Sequence, residues 1–151
     1  MSSEWAETAA QHVRERQKAE EEVNAALIEK RKLIAEQGPA LWRQVFCRVQ
    51  ELVSEFNAEY KHSSPMTYDN TSTSEFHVRL NTGYLNTTLI ATFGVNSSAT
   101  ALQWRYEGGK AKGGGCNLNV LPSGKVALYY RLRDTTPNMI AEKMLDGLLE
   151  E

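Results

Sequence analysis

Apolar positions recur at two different periods along this chain, and the change of period divides it. From Glu4 to Gln37 there is no Pro or Gly, and Ala, Glu, Gln, Lys and Arg dominate, which predicts one long helix. Ser2 or Ser3 is placed to cap it, with Glu4 and Glu7 in the first turn, where the helix dipole favours acid. Its apolar stripe is thin, running through Val13, Ala19, Val23, Ala26, Leu27, Leu33 and Ile34, so this helix needs a partner to be stable. Gly38-Pro39 interrupts the pattern, Gly suiting a C-cap and Pro the first turn of a second helix. That second helix, 40–61, is strongly amphipathic, with Leu41, Trp42, Val45, Phe46, Val49, Leu52, Val53, Phe56 and Tyr60 recurring at three and four. If the chain folds back at Gly38, Ile34 faces Trp42, Leu27 faces Val49 and Val23 faces Val53, so the pattern predicts a helical hairpin.

Residues 62–74 read as a polar linker, with Met66 to Tyr68 able to add a short edge strand. From Glu75 the period is two. Strands are predicted at 75–81, 84–95, 99–107, 116–121 and 125–133. Phe76, Val78, Leu80, Leu85, Leu89, Ala91, Phe93, Val95, Leu102, Trp104, Tyr106, Val126, Leu128, Tyr130 and Leu132 share the inward side. Thr136 as N-cap and Pro137 at the first position open a last helix, 138–149, with Ile140, Met144, Leu145 and Leu148 on its buried side. The expected fold is α+β, a five-stranded antiparallel meander with its helices on the apolar face. In domain terms, 1–37 is a helical arm and 38–151 an α+β domain.

Composition refines this little, since the chain of 151 residues carries a net charge of only -2. The distribution says more: the two helical ends are acidic, and the region 61–134 holds eight Lys/Arg against four Asp/Glu. That excess is well short of a committed DNA binder's basic footprint. Cys47 and Cys116 stand apart without metal spacing and read as two buried thiols. No basic start followed by an apolar run opens the chain and no stretch is long and apolar enough for a membrane span, so a cytoplasmic protein is expected. The Asn-X-Ser/Thr triplets at Asn70, Asn86 and Asn96 are read as strand and turn chemistry.

The candidate chemistry lies on the polar side of the strands. His77, Arg79, Gln103, Arg105, Asn117, Asn119, Tyr129, Arg131 and Arg133 are predicted to point there, with Thr88 and Thr92 between them. A solvated sheet face must be polar in any case. Four Arg among Tyr, Gln and Asn exceed that requirement and suit phosphate, carboxylate or base edges. With Tyr129 as its one clear aromatic, the face lacks the stacking ladder of a single-strand nucleic-acid platform. The glycine-rich stretch 108–115 adds Lys110 and Lys112, a mobile hairpin tip by default and a contact loop if it orders on binding. It is no Walker loop, because Ala111 and Val126 follow the Gly-Lys pairs where Ser or Thr is required.

No catalytic spacing of Ser, His, Asp or Cys can be read. Glu59 and His62 give one Glu-x-x-His and Glu51, Glu55 and Glu59 share a helix face, but a carboxylate-bridged metal centre needs that pattern twice, so neither metal nor cofactor is expected. The charge run of the first helix is sharper. Glu20-Glu21-Glu22 and Lys30-Arg31-Lys32 are so spaced that two copies crossing antiparallel near Ala26 set each acidic block against the other's basic block. Self-association as a coiled-coil homodimer is therefore expected through Val13, Glu21, Val23, Leu27, Arg31 and Ile34. The leading expectation is a non-catalytic binding or adaptor protein that pairs through its N-terminal helices and receives an anionic ligand or protein partner on the Arg-rich face and glycine loop. The alternatives are a nucleic-acid binder using the same face and a small enzyme with a pocket between sheet and helices, His77 or Tyr129 serving as acid or base.

Overall fold

The computed structural model describes residues 3–60, 64–94 and 100–150. The fold is α+β: a long helix α1 (Glu4–Glu59), a sheet of seven strands, and a C-terminal helix α2 (Pro137–Asp146) that ends in a 3-10 turn at Gly147–Leu149. The strands are β1 (Met66–Ser72), β2 (Glu75–Asn81), β3 (Asn86–Phe93), β4 (Thr100–Glu107), β5 (Gly114–Val120), β6 (Val126–Tyr130) and β7 (Arg133–Thr135). Each pairs antiparallel with the next, so the sheet is a meander in chain order. The predicted turn at Asn96-Ser97-Ser98, with Val95, Ala99 and His62, lies outside the described residues.

The predicted helical hairpin does not form. α1 runs unbroken through Gly38 and Pro39, and at 1.5 Å per residue its 56 residues reach about 84 Å. Pro39 removes one helical donor and crowds the carbonyl of Ala35. Both residues are on the exposed side, so that carbonyl is free to meet water. Side chains on the inner side hold the helix through the break. The Gln37 amide accepts from the Val126 backbone N–H at 2.7 Å and donates to the Gly124 carbonyl at 2.9 Å. Trp42 donates its indole N–H to the Thr73 carbonyl at 2.9 Å. Trp42, Val49 and Val53, which the hairpin would have set against the first helix, are buried against the sheet instead. A sheet offers more apolar area than a thin helical stripe, and burial follows area.

The sheet has two strands more than expected, β1 extending the short edge strand allowed at Met66 to Tyr68 and β7 having had no counterpart. β1 occupies most of the supposed linker and is tied to α1 by Asn57, whose amide donates to the Met66 carbonyl at 2.8 Å and accepts from the Met66 N–H at 3.0 Å. β7 arises because the predicted strand 125–133 turns back on itself at Arg131 and Leu132, both at positive φ (49° and 65°) as mirror-image two-residue hairpin turns require. Leu132, expected inward, is 85% exposed at that turn.

The core lies between the sheet and the two helices. Trp42 stacks on Phe76 and Phe93, with centroids at 5.3 and 5.5 Å, and Tyr68 extends the stack to 5.4 Å from Phe76. α2 starts as expected, Thr136 Oγ1 accepting from the Met139 N–H at 3.2 Å. Tyr106 fixes its far end by donating its hydroxyl to the Met144 carbonyl. Gly147 is obligatory beside it, because a Cβ there would lie 2.1 Å from the Tyr106 ring. Cys116 is buried, and burial pushes its thiol up to about 11. Cys47, expected buried too, is exposed on α1.

Candidate functional site: the outer face of the sheet

The strand registers write out the side of the sheet turned away from the helices. Glu75, Thr92 and Gln103 form one row across β2, β3 and β4; His77, Ile90 and Arg105 form the next; Arg79, Thr88 and Glu107 form the third. Of the predicted face, His77, Arg79, Gln103 and Arg105 are thus brought together. Asn117 and Tyr129 continue it as directly paired residues on β5 and β6, and Asn119 lies one step along.

Arg131 and Arg133 leave the group. Counting by twos from Tyr129 puts both outward, but a two-residue turn resets the count: Arg133 pairs with Tyr130 and shares its helix-facing side. Arg131 sits in the turn with its guanidinium 5.2 Å from the centre of the Tyr130 ring. Asp134 takes the outward place opposite Tyr129 and accepts from the Asn119 amide at 3.3 Å. Four expected arginines become two, and an acid joins the face. No Gly, Asn or Asp marks the turn at Arg131-Leu132, so the pattern carried no signal for it.

The remaining cations have close companions. Arg105 lies 3.8 Å from Glu107, both side chains being more than half exposed, a surface pair worth about 0–1 kcal/mol. His77 Nε2 is 3.2 Å from Glu75, and Arg79 donates to the Asn86 side-chain oxygen at 3.4 Å. The face is therefore mixed in charge.

A concavity on this face is made by absence of side chains. Next to Gln103 on β5 comes Gly115, and Gly113 to Gly115 leave a hollow of about 440 Å³ whose walls carry Ile90, Thr92, Gln103 and Arg105. Glycine is needed at two of these positions for close approach: a Cβ at Gly113 would lie 2.2 Å from the Trp104 carbonyl oxygen, and one at Gly114 would lie 2.7 Å from the Trp104 indole. The β5–β6 register stops at Asn117–Tyr129, because the chain turns away just beyond. The hollow is thus an apolar floor, Ile90 being 5% exposed, beside a guanidinium, an amide and a hydroxyl, within the usual size of small-molecule sites. Ile90 was missed as a site residue, whereas Thr92 and the glycine stretch were already expected on or beside this face. The signal for Ile90 was a lone apolar residue in the polar register of β3.

Lys110 and Lys112 are exposed on the β4–β5 connection and are not among the residues lining this hollow. Lys110 borders a separate depression with Tyr84, Asn86, Gly108 and Glu150. Of the residues expected in self-association, Val13, Glu21, Val23, Leu27 and Arg31 are exposed, while Ile34 is half-buried against the core. From Glu4 to Lys32 every residue except the half-buried Ala9 is exposed. Among the described residues no group of three or more His, Cys, Asp and Glu could hold a metal ion, and no helix is long and apolar enough to cross a membrane. No family model, curated protein or solved structure matches this chain.

Proposed function

We propose that the protein is a non-catalytic binding protein that assembles through the N-terminal part of α1 and receives an anionic ligand on the outer face of its sheet. The observation that carries this reading is the free arm. Trp5, Ala9, Val13, Val23, Leu27 and Ile34 recur in phase with Gly38, Trp42, Val45, Val49 and Val53, which are the buried side of the same helix. The arm thus extends a core-forming stripe past the end of the core that satisfies it. A lone helix with so narrow a stripe gains its stability from a partner.

Charge argues for a second copy as that partner. Glu20 falls inside the stripe, and Lys30 and Arg31 flank it. In an antiparallel crossing near Ala25, one residue before the Ala26 expected from the charge blocks alone, Val23 meets Leu27 of the second copy and Glu20 meets its Lys30 and Arg31, so the polar interruption of one arm answers that of the other. Light scattering on the intact chain is expected to give twice the 17.0 kDa of one copy, and on Val23→Glu/Leu27→Glu a single copy with the unfolding transition retained. A monomeric intact chain refutes the arm as a dimerisation element.

For the outer face, the supporting feature is the hollow beside Arg105. Small carboxylates and phosphates are expected to raise the melting temperature of the wild-type protein and to lose that effect in Arg105→Ser. A panel without any stabiliser removes the anion site. Glu75, Glu107 and Asp134 stand among the cations of this face, which weighs against nucleic acid, whose binding rests on uninterrupted positive charge.

A further inference from the structure

At the end of α1 remote from the arm, a second groove opens between α1 and α2. Leu52, Phe56, Leu145 and Leu149 line it, and its volume is about 490 Å³. Leu149 remains 46% exposed, and so does much of Tyr60, whose ring lies 5.2 Å from Phe56. Glu55 and Glu59 stand on the α1 wall and Glu142 and Asp146 on the α2 wall, and among the described residues no Lys, Arg or His lines the groove.

Like charges on facing walls raise the energy of the free protein. Arg48 offsets only part of this charge, lying 3.7 Å from Glu55 and within electrostatic reach of Glu142, because Glu51 engages it at 2.8 Å. α2 is held near both of its ends. Arg48 also donates to the Asn138 side chain of α2, Tyr106 holds the Met144 carbonyl, and Gly147 lies against the Tyr106 ring. The groove is an apolar channel between two anionic rails.

We propose that this groove seats a cationic amphipathic helix of a partner protein, its apolar side chains over Leu52, Phe56, Leu145 and Leu149 and its Lys and Arg residues between the two acidic walls. Apolar anchors at helical spacing would displace water from the leucines, and each cation would relieve a repulsion already present, so the match is one of shape and of sign. The site is independent of the arm and of the outer sheet face.

The test uses the full chain and two labelled synthetic helices with leucines at i, i+3, i+4 and i+7, one carrying lysines elsewhere and the other glutamates, read by fluorescence anisotropy. The lysine helix is expected to bind and the glutamate helix not. Glu59→Lys/Glu142→Lys should weaken the lysine helix roughly tenfold or more, while the same charge change at Glu29→Lys/Glu36→Lys on the same α1 leaves it unaltered. Leu149→Ser, at a half-exposed position, should weaken it with the fold retained by circular dichroism. Equal binding by all variants, or no binding of the lysine helix to the wild type, overturns the proposal. So does a loss of self-association in Glu59→Lys/Glu142→Lys, which would give the groove to a second copy of this chain.

Discussion

Trp5 and Trp42 lie on one stripe of one helix, and their fates are opposite: Trp5 is 79% exposed, Trp42 is 3% exposed and sandwiched between aromatic rings. The same contrast holds along the whole of α1. Val23 and Leu27 are exposed at positions equivalent to Val45 and Val49, which are fully buried. Local sequence separates the two parts only in the breadth of the apolar stripe, since both are helical and both keep their apolar residues in register. What separates them is the neighbour. The C-terminal part lies on a sheet that is itself apolar on that side, and the N-terminal part from Glu4 to Lys32 is exposed save for the half-buried Ala9. An amphipathic pattern states which side of a helix is to be buried, and only the surrounding elements decide whether it is.

The sharpest way to break this comparison is to remove each tryptophan in turn. Trp42→Ala is expected to cost about 3–5 kcal/mol, through lost burial and the cavity left between Phe76 and Phe93, with the Thr73 carbonyl left without its indole donor. Trp5→Ala should leave the unfolding free energy of the monomer within about 0.5 kcal/mol. Urea titrations followed by circular dichroism read both. A Trp5→Ala protein as damaged as Trp42→Ala would mean that the arm is not free.

Next in size are the two amide clamps at either end of the docked segment. Gln37→Ala removes two hydrogen bonds to the β5–β6 hairpin, and Asn57→Ala removes two to Met66. Each leaves backbone groups without their partner and should cost about 1–3 kcal/mol. Gln11→Ala, whose side chain reaches only Glu15 on the exposed arm, should be near neutral. Equal costs at Gln37 and Gln11 would deny that side-chain contacts carry α1 across Pro39.

Alkaline pH is expected to act only in the folded body. Burial raises the Cys116 thiol from 9.0 to about 11 and the Tyr68 hydroxyl from 10.0 to about 12. In each case the folded state keeps a proton that the unfolded state has already released. Stability is therefore full below about pH 9 and falls as pH rises, through about 11 for Cys116 and about 12 for Tyr68, by at most about 1.4 kcal/mol per pH unit for each group. Cys116→Ala should remove the part of the decline that begins at pH 9, as read by urea midpoints across that range. The described part of the arm contains neither Cys nor Tyr, so its helicity should show no corresponding step.

Much of the fold was legible in the chain because it rests on local chemistry. β2 runs from Glu75 to Asn81 as its alternation requires, Thr136 caps α2, and the inward residues of β2, β3, β4 and β6 form the core. β1 was hard to see because its exposed residues Asp69 to Ser72 have the composition of a loop, and only pairing with β2 makes them a strand. The candidate site was half legible. His77, Arg79, Gln103 and Arg105 follow from alternation within uninterrupted strands. Arg131 and Arg133 do not, because one unmarked two-residue turn inverts the parity of everything after it.

What the sequence determined by itself was which side each residue takes within its own element: helical period in α1 and α2, alternation in the strands, and caps at Ser3 and Thr136, all set by interactions spanning a few residues. The tertiary structure decided whether Gly38-Pro39 would end a helix or be carried within one, and where β6 would turn back. Those outcomes depend on contacts between residues far apart in the chain, such as Gln37 with Val126 and Trp42 with Phe76 and Phe93, whose burial outweighs the local preference of a glycine and a proline to break a helix.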